Sequence, residues 1–271
     1  QLGYTSSSIW NRIMPKKSIL VTNMDGIEYK RSKFSNKVQK FIKYAERLAV
    51  KYSDYFISDS IGIQKYLKEE YEVESNYIPY GAEEMGCPNL DILNKFNLRK
   101  NNYDIVIARM EPENNIEMIL EGFIHSNKDR DLVIIGSLRT DFGKYVSEKY
   151  CDRQIKYLGF VSGIENLNSL RYFSNLYFHG HSVGGTNPSL LEAMASDSLI
   201  CAHENIFNQS ILENDAYYFT NYEQISDLIN TTIKCKENLF VINNKQKIND
   251  LYSWCKIVDD YNSFFYKIFS K

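Results

Sequence analysis

Short apolar, β-branched runs alternate with stretches of helical period along most of the chain. Runs at 19–22, 55–58, 77–79, 104–108, 132–135, 155–158, 176–179, 199–202 and 217–219 predict strands. Between them, 115–125, 165–173, 188–195 and 224–235 carry apolar residues at helical spacing, and 251–269 does so at the end. That alternation predicts parallel β-α-β units. The stretch from about 103 to 237 holds six of the nine strands and reads as a complete doubly wound domain. The three earlier strands are too few for another, so an amino-terminal portion is expected to be missing. The organisation expected is a partial domain at 1–97, a complete one at 98–245 and a terminal helix at 246–271 able to pack back on the first. Pro and Asn are frequent at 88–102, where the joint is expected.

Composition narrows the classes. Hydrophobic residues make up 44% and charged residues 24% of 271, a globular balance, and the net charge of -2 argues against a general nucleic-acid binder. Five cysteines are scattered with no C-x-x-C pair, which favours reduced thiols. No apolar run reaches the length of a bilayer span. The first residue is Gln1 and no signal pattern follows, so a trimmed start is expected. The charge is uneven: between 16 and 51 there are ten Lys or Arg against Asp25, Glu28 and Glu46. Lys33, Lys37, Lys40, Arg47 and Lys51 recur at helical steps, with Phe34, Val38, Phe41, Ala45 and Leu48 as the opposing stripe. Such a helix over 33–51 can touch anionic lipid, or simply present a solvated face over a packed one.

Candidate chemistry lies where the strands end, because open α/β sheets bind ligands at the carboxyl edge. After 104–108 comes Arg109; after 132–135, Gly136 and Ser137; after 155–158, Gly159, Phe160 and Val161; after 176–179, the run from Gly180 to Pro188. Gly184 and Gly185 allow close backbone approach, Asn187 suits an N-cap and Pro188 a first helical position. The free N–H groups of such a start, through Thr186 and Asn187, make an anion site, to which Arg109 adds a cationic fork. A diphosphate fits it, although a tight turn capping a helix is the plain alternative. Glu192, one turn beyond Pro188 on the same face, could accept ribose hydroxyls. Of the two histidines flanking Gly180, His181 is better placed than His179 to meet a ligand. Asp129-Arg130-Asp131 precedes a strand, the wrong edge for a metal-diphosphate clamp, and reads as a solvated loop.

The run Gly180-His181-Ser182-Val183-Gly184-Gly185-Thr186-Asn187-Pro188-Ser189-Leu190-Leu191-Glu192-Ala193-Met194-Ala195 resembles the signature of the retaining GT-B glycosyltransferases of family 4. Ala108-Arg109-Met110-Glu111-Pro112-Glu113-Asn114-Asn115, Leu158-Gly159-Phe160-Val161 and Ile78-Pro79-Tyr80-Gly81-Ala82 resemble further stations of it, in order. Asn23-Met24-Asp25-Gly26-Ile27-Glu28-Tyr29-Lys30-Arg31 resembles a branch containing bacterial rhamnosyltransferases of surface-polysaccharide assembly. Two positions depart from the family: its earlier glutamate falls on Gly184, and its lysine after the arginine falls on Asn114.

The resemblance implies a GT-B fold, with a complete carboxyl-terminal Rossmann-like domain for a nucleotide sugar and a partial acceptor-side domain before it. It implies retaining transfer of a sugar, rhamnose first, to a saccharide or lipid-linked saccharide, without metal or other cofactor. Arg109, His181 and Glu192 would be catalytic. Gly136, Ser137, Phe160, Val161, Gly184, Gly185, Thr186 and Asn187 would hold the donor, and Asp25, Glu28, Lys30 and Arg31 would face the acceptor. The expected place is the cytoplasm, at the inner face of the membrane if the helix at 33–51 touches it, and nucleic acid is not an expected partner. A nucleotide-sugar epimerase and a non-catalytic sugar-nucleotide module are the other readings. With half of the acceptor side expected to be missing, donor binding without turnover is anticipated for this chain alone.

Overall fold

The computed structural model describes residues 1, 3–15, 18–31, 33–127, 129–235 and 238–270. Lys16, Lys17 and Glu237, which enter the expectations, lie outside the described residues. In chain order the elements are a 3-10 helix Ser7–Ile13, β1 (Val21–Met24), α1 (Asn36–Tyr52), β2 (Tyr55–Ser58), α2 (Ile61–Tyr71), β3 (Asn76–Tyr77), α3 (Asp91–Lys95), β4 (Tyr103–Ile107) and α4 (Ile116–Ile124). There follow β5 (Asp131–Ile135), α5 (Asp141–Lys149), β6 (Ile155–Gly159), α6 (Ile164–Phe173), β7 (Tyr177–His179), α7 (Pro188–Ala195), β8 (Ile200–His203), α8 (Ile206–Leu212), β9 (Tyr217–Phe219), α9 (Tyr222–Thr231), α10 (Leu239–Lys247) and α11 (Trp254–Phe269). All nine expected strands are present. The first sits about two residues later than expected and pairs Val21 with Tyr55.

The chain forms two compact units: Gln1–Tyr80 with Val183–Asn187 and Trp254–Lys271, and Gly81–Ser182 with Pro188–Ser253. Residues 88–102, where the joint was expected, fall in the second unit, with Ile92, Leu93 and Leu98 buried.

In unit 2 a six-stranded parallel sheet has the order β6-β5-β4-β7-β8-β9. The order reverses between β4 and β7, the switch point of a doubly wound sheet. Val106, Ile134, Leu132 and Phe178 from the sheet pack with Ile116, Ile119, Leu120 and Phe123 of α4 and Ile225 and Ile229 of α9. Asparagine side chains start the later helices: Asn205 accepts from Phe207 N and Asn208 N, Asn221 from Gln224 N, and Asn238 from Phe240 N. The cap at Asn221 explains why α9 begins before the expected 224. Arg130 is a correction. It is buried, not solvated, with Nε 2.7 Å from Asp104 Oδ2 at the amino edge of the sheet.

In unit 1 the parallel sheet has the order β1-β2-β3. Ile57 and Ile78 pack against Ile257, Phe264 and Ile268 of α11. Helix α1, Asn36–Tyr52, covers most of the expected 33–51 region, but its buried face is rotated. Ile42, Ala45, Glu46, Leu48 and Ala49 are buried, whereas Val38 and Phe41, expected in the stripe, are exposed. The cause is Glu46. Its Oε1 accepts hydrogen bonds from Lys43 Nζ at 2.8 Å, Tyr66 OH at 2.6 Å and Tyr71 OH, so a carboxylate that reads as surface is turned inward.

Candidate functional site

Within unit 2 the loops after β4 and β7 meet at the switch point. Asn115 Nδ2 donates to Gly180 O at 2.7 Å, and Ser182 donates through both N (3.1 Å) and Oγ (2.8 Å) to Glu113 O. A Cβ at Gly180 would fall 2.0 Å from Asn114 O, so glycine is needed for the two loops to touch. Asn114 is buried and donates to Arg109 O at 2.8 Å. It braces the turn that presents Arg109.

Arg109 follows β4 with its side chain 64% exposed, and its guanidinium lies 3.8 Å from Glu111 Oε1. An exposed cation on a braced turn is suited to an anion. Gly136 packs closely against the neighbouring loop. Its Cβ would fall 2.1 Å from Ala108 O, so it makes room for the β4 loop. Ser137 is exposed and its Oγ accepts from Arg139 N. The two residues after β6 part company: Phe160 is 84% exposed, whereas the Val161 side chain is buried and belongs to the core.

His181 is half-buried and stacks on His179, ring centroids 4.4 Å apart. Asn205 and Asn208 both donate to His181 O at 3.1 Å, which fixes its backbone. His179 is fully buried, and neither ring nitrogen has a hydrogen-bond partner among the described residues. Burial, then the neighbouring His181 and Arg171, holds its pKa well below the usual histidine value, so the ring is neutral.

Helix α7 begins at Pro188, as expected. Glu192, one turn into that helix, is held in an ion pair. Arg171 of α6, almost wholly buried, places Nη2 2.6 Å from Glu192 Oε2 and 3.0 Å from Ser189 Oγ, with Nη1 2.7 Å from Asn168 Oδ1. Tyr177 OH shares Ser189 Oγ at 2.9 Å, and the guanidinium lies over the Tyr177 ring. Glu192 keeps about a third of its side-chain surface exposed. Sequence reasoning missed Arg171, because an arginine at one helical position carries no sign of burial.

Unit 1 holds the remaining predicted residues. Asp25 follows β1 and Glu28 opens the short turn Glu28–Lys30. Tyr4, fully buried, ties this loop by donating to Gly26 O and accepting from Glu28 N, both at 3.0 Å. Glu28 and Arg31 are committed to each other, Oε1 to Nη2 at 2.7 Å, while Lys30 is exposed and lies over the Tyr66 ring. Asp59, missed from sequence, follows β2 and is buried. It accepts from Thr186 N at 3.1 Å, and its backbone oxygen accepts from Thr186 Oγ1. The Thr186 amide is therefore engaged, a correction to its reading as a free anion donor. Gly184 has φ +142° and Gly185 lies so close that a Cβ would fall 2.1 Å from Asp59 Oδ1. Those glycines let the loop lie on Asp59. Burial, then the charge of Asp25, pushes the Asp59 pKa up to about 7, and Asp25 is also raised, mainly by burial. The strand-end rule, applied to the first half, would have marked Asp59. Asn187 closes this loop, immediately before Pro188.

Among the described residues, no group of three His, Cys, Asp or Glu side chains is placed to hold a metal ion, and no helix is long and apolar enough to cross a membrane.

A family model described as a domain of unknown function, DUF1972, matches residues 5–83. No curated protein matches the chain. Among solved structures, sucrose-phosphate synthase from Thermosynechococcus elongatus is similar with a TM-score of 0.79 at 14% identity, over 99% of this chain and 74% of that one. HepE of Anabaena, in complex with UDP-glucose, is similar with a TM-score of 0.77 at 16% identity, over 98% and 75%. The α,α-trehalose 6-phosphate synthase of Burkholderia multivorans is similar with a TM-score of 0.71 at 12% identity, over 99% and 71%. The chain has the α/β fold of the GT-B glycosyltransferases, with two Rossmann-like parallel-sheet parts.

Proposed function

We propose that the chain is the donor-binding part of a retaining glycosyltransferase that moves a sugar from a nucleotide diphosphate to a saccharide or lipid-linked saccharide. The observation that carries the reading is Arg109. It is exposed on a braced turn at the carboxyl end of β4, beside the switch point, where doubly wound sheets take nucleotides. The fold supports it, since HepE, of the same fold, is in complex with UDP-glucose. Arg109 is assigned the departing diphosphate, whose growing negative charge a guanidinium stabilises more than the ground state, assisted by the amino end of α7. The exposed part of Glu192 is assigned the ribose hydroxyls, with Arg171 holding the carboxylate. His181 and the exposed Phe160 face the rest of the donor, and no cofactor is assigned a part. Asp25 and Lys30 are assigned to the acceptor side.

Rhamnose is the leading sugar, from the likeness of positions 23–31 to rhamnosyltransferases of surface-polysaccharide synthesis. A lipid-linked acceptor would place the reaction at the inner face of the membrane. The experiment is a thermal-shift panel of nucleotide sugars, dTDP-rhamnose included. A ligand at 100 times its Kd adds about 2.7 kcal/mol of stability. Stabilisation by one nucleotide-diphosphate sugar over its free sugar supports the reading, and failure of every donor contradicts it.

A further inference from the structure

Helix α1 carries cations on one exposed face. Lys37, Lys40, Arg47 and Lys51 fall within about a third of the helical circumference. Tyr44 lies among them and Phe41 at the edge of this face, 51% and 44% exposed. The one acid of the helix, Glu46, is buried on another side with Lys43. Lys37, Lys40 and Lys51 have no carboxylate partner among the described residues. Packed against α1 is the 3-10 helix Ser7–Ile13, which exposes Ile9, Trp10 and Ile13, with Met14 just beyond it and Arg12 exposed beside them. Trp10 is 64% and Ile13 73% exposed. Clustered apolar side chains of this size, rimmed by charge, mark an interaction surface.

We infer that the surface formed by Ser7–Ile13 and the Lys37–Lys51 face of α1 seats on an anionic lipid bilayer. The charge decides the occupant. Acid-free cations attract anionic headgroups at about a factor of five in binding per basic residue, while tryptophan and tyrosine favour the headgroup level. Long lysine stems let Phe41 and Tyr44 approach the acyl boundary as the ammonium groups stay at the headgroups. The contact surface is therefore the exposed face of α1 with Phe41 and Tyr44, together with the 3-10 helix. The inference concerns unit 1 alone and stands apart from the transferase reading.

The test is vesicle co-sedimentation of the 271-residue chain. Phosphatidylcholine vesicles are compared with vesicles holding about 30% phosphatidylglycerol. Emission of Trp10 is read in a Trp254→Phe background. Expected are binding at least about tenfold stronger to the anionic vesicles, weakening with salt, and a blue shift of Trp10. The double variant Lys37→Glu/Lys40→Glu is expected to lose binding by about tenfold or more. Lys65→Glu/Lys68→Glu on α2, the same charge change on lysines paired with Glu69 and Glu74, is expected to leave most of it. Circular dichroism checks that both fold. Equal binding to neutral vesicles, no binding, or binding indifferent to the α1 reversal overturns the inference. So does retention on single-stranded DNA without vesicle binding.

Discussion

Arg171 and Glu192 form an ion pair, Nη2 to Oε2 at 2.6 Å, in which the arginine is buried and the carboxylate is about one-third exposed. The asymmetry sets which loss is worse. In Glu192→Gln the buried guanidinium is left without an anionic partner, and stability should fall by about 3 kcal/mol. In Arg171→Met the buried charge goes together with its hydrogen bonds to Asn168 and Ser189 and the part-exposed Glu192 is left to water, so the fall should be smaller, about 1 kcal/mol. Urea unfolding of the two variants checks the order. Glu192→Gln should also weaken a nucleoside diphosphate while leaving inorganic pyrophosphate binding unchanged, if the carboxylate meets ribose.

Arg109 poses the opposite case. Its side chain is mostly exposed, so Arg109→Ala should leave the free energy of unfolding within about 0.5 kcal/mol of the parent. A charge-assisted contact to a diphosphate contributes roughly 1.5–3 kcal/mol, so nucleotide-sugar affinity should drop about tenfold or more. Calorimetric titration of both proteins separates binding from folding.

Glycines after β5 and β7 are held there by close approach to the β4 loop. Gly136→Ala and Gly180→Ala would each place a Cβ near 2 Å from a backbone oxygen, at 2.1 and 2.0 Å, and each should cost about 2–3 kcal/mol. Gly86→Ala meets nothing within 4 Å and should be close to neutral. Thermal unfolding of the three variants gives the comparison.

Asp59 gives a pH dependence with a definite sign. Its carboxyl, pushed up to about 7, holds its proton more tightly in the folded protein than in the unfolded chain, where the value is about 3.9. Protonation therefore favours folding. Measured against Asp59→Asn, the parent should be most stable below about pH 4, lose stability as pH rises toward 7, and level off above, on the order of 4 kcal/mol in all. Denaturant titrations from pH 4 to 8 test this, and a difference flat with pH would contradict it.

Much of the fold was legible in the sequence because strand and helix periods differ. The buried run 132–135 and the start at Asn187-Pro188 announce themselves locally, and the glycines and arginine after successive strands mark the sheet edge. Less legible was whatever depends on a charged side chain turning inward. Glu46, Arg130 and Arg171 each look like surface residues at their own positions, and only distant partners (Tyr66 and Tyr71, Asp104, Glu192) make burial favourable. That is why the buried face of α1 was misjudged, and why the ion pair of Glu192 was not anticipated. Thr186 shows the same limit for the backbone, since its partner Asp59 lies 127 residues away in the chain.

The most direct measurement is a crystal structure of the protein soaked with its nucleotide-diphosphate sugar. The account predicts pyrophosphate density within hydrogen-bonding reach of the Arg109 guanidinium, at the carboxyl end of β4. Phosphorus atoms bound anywhere else, with Arg109 left in solvent, would contradict it.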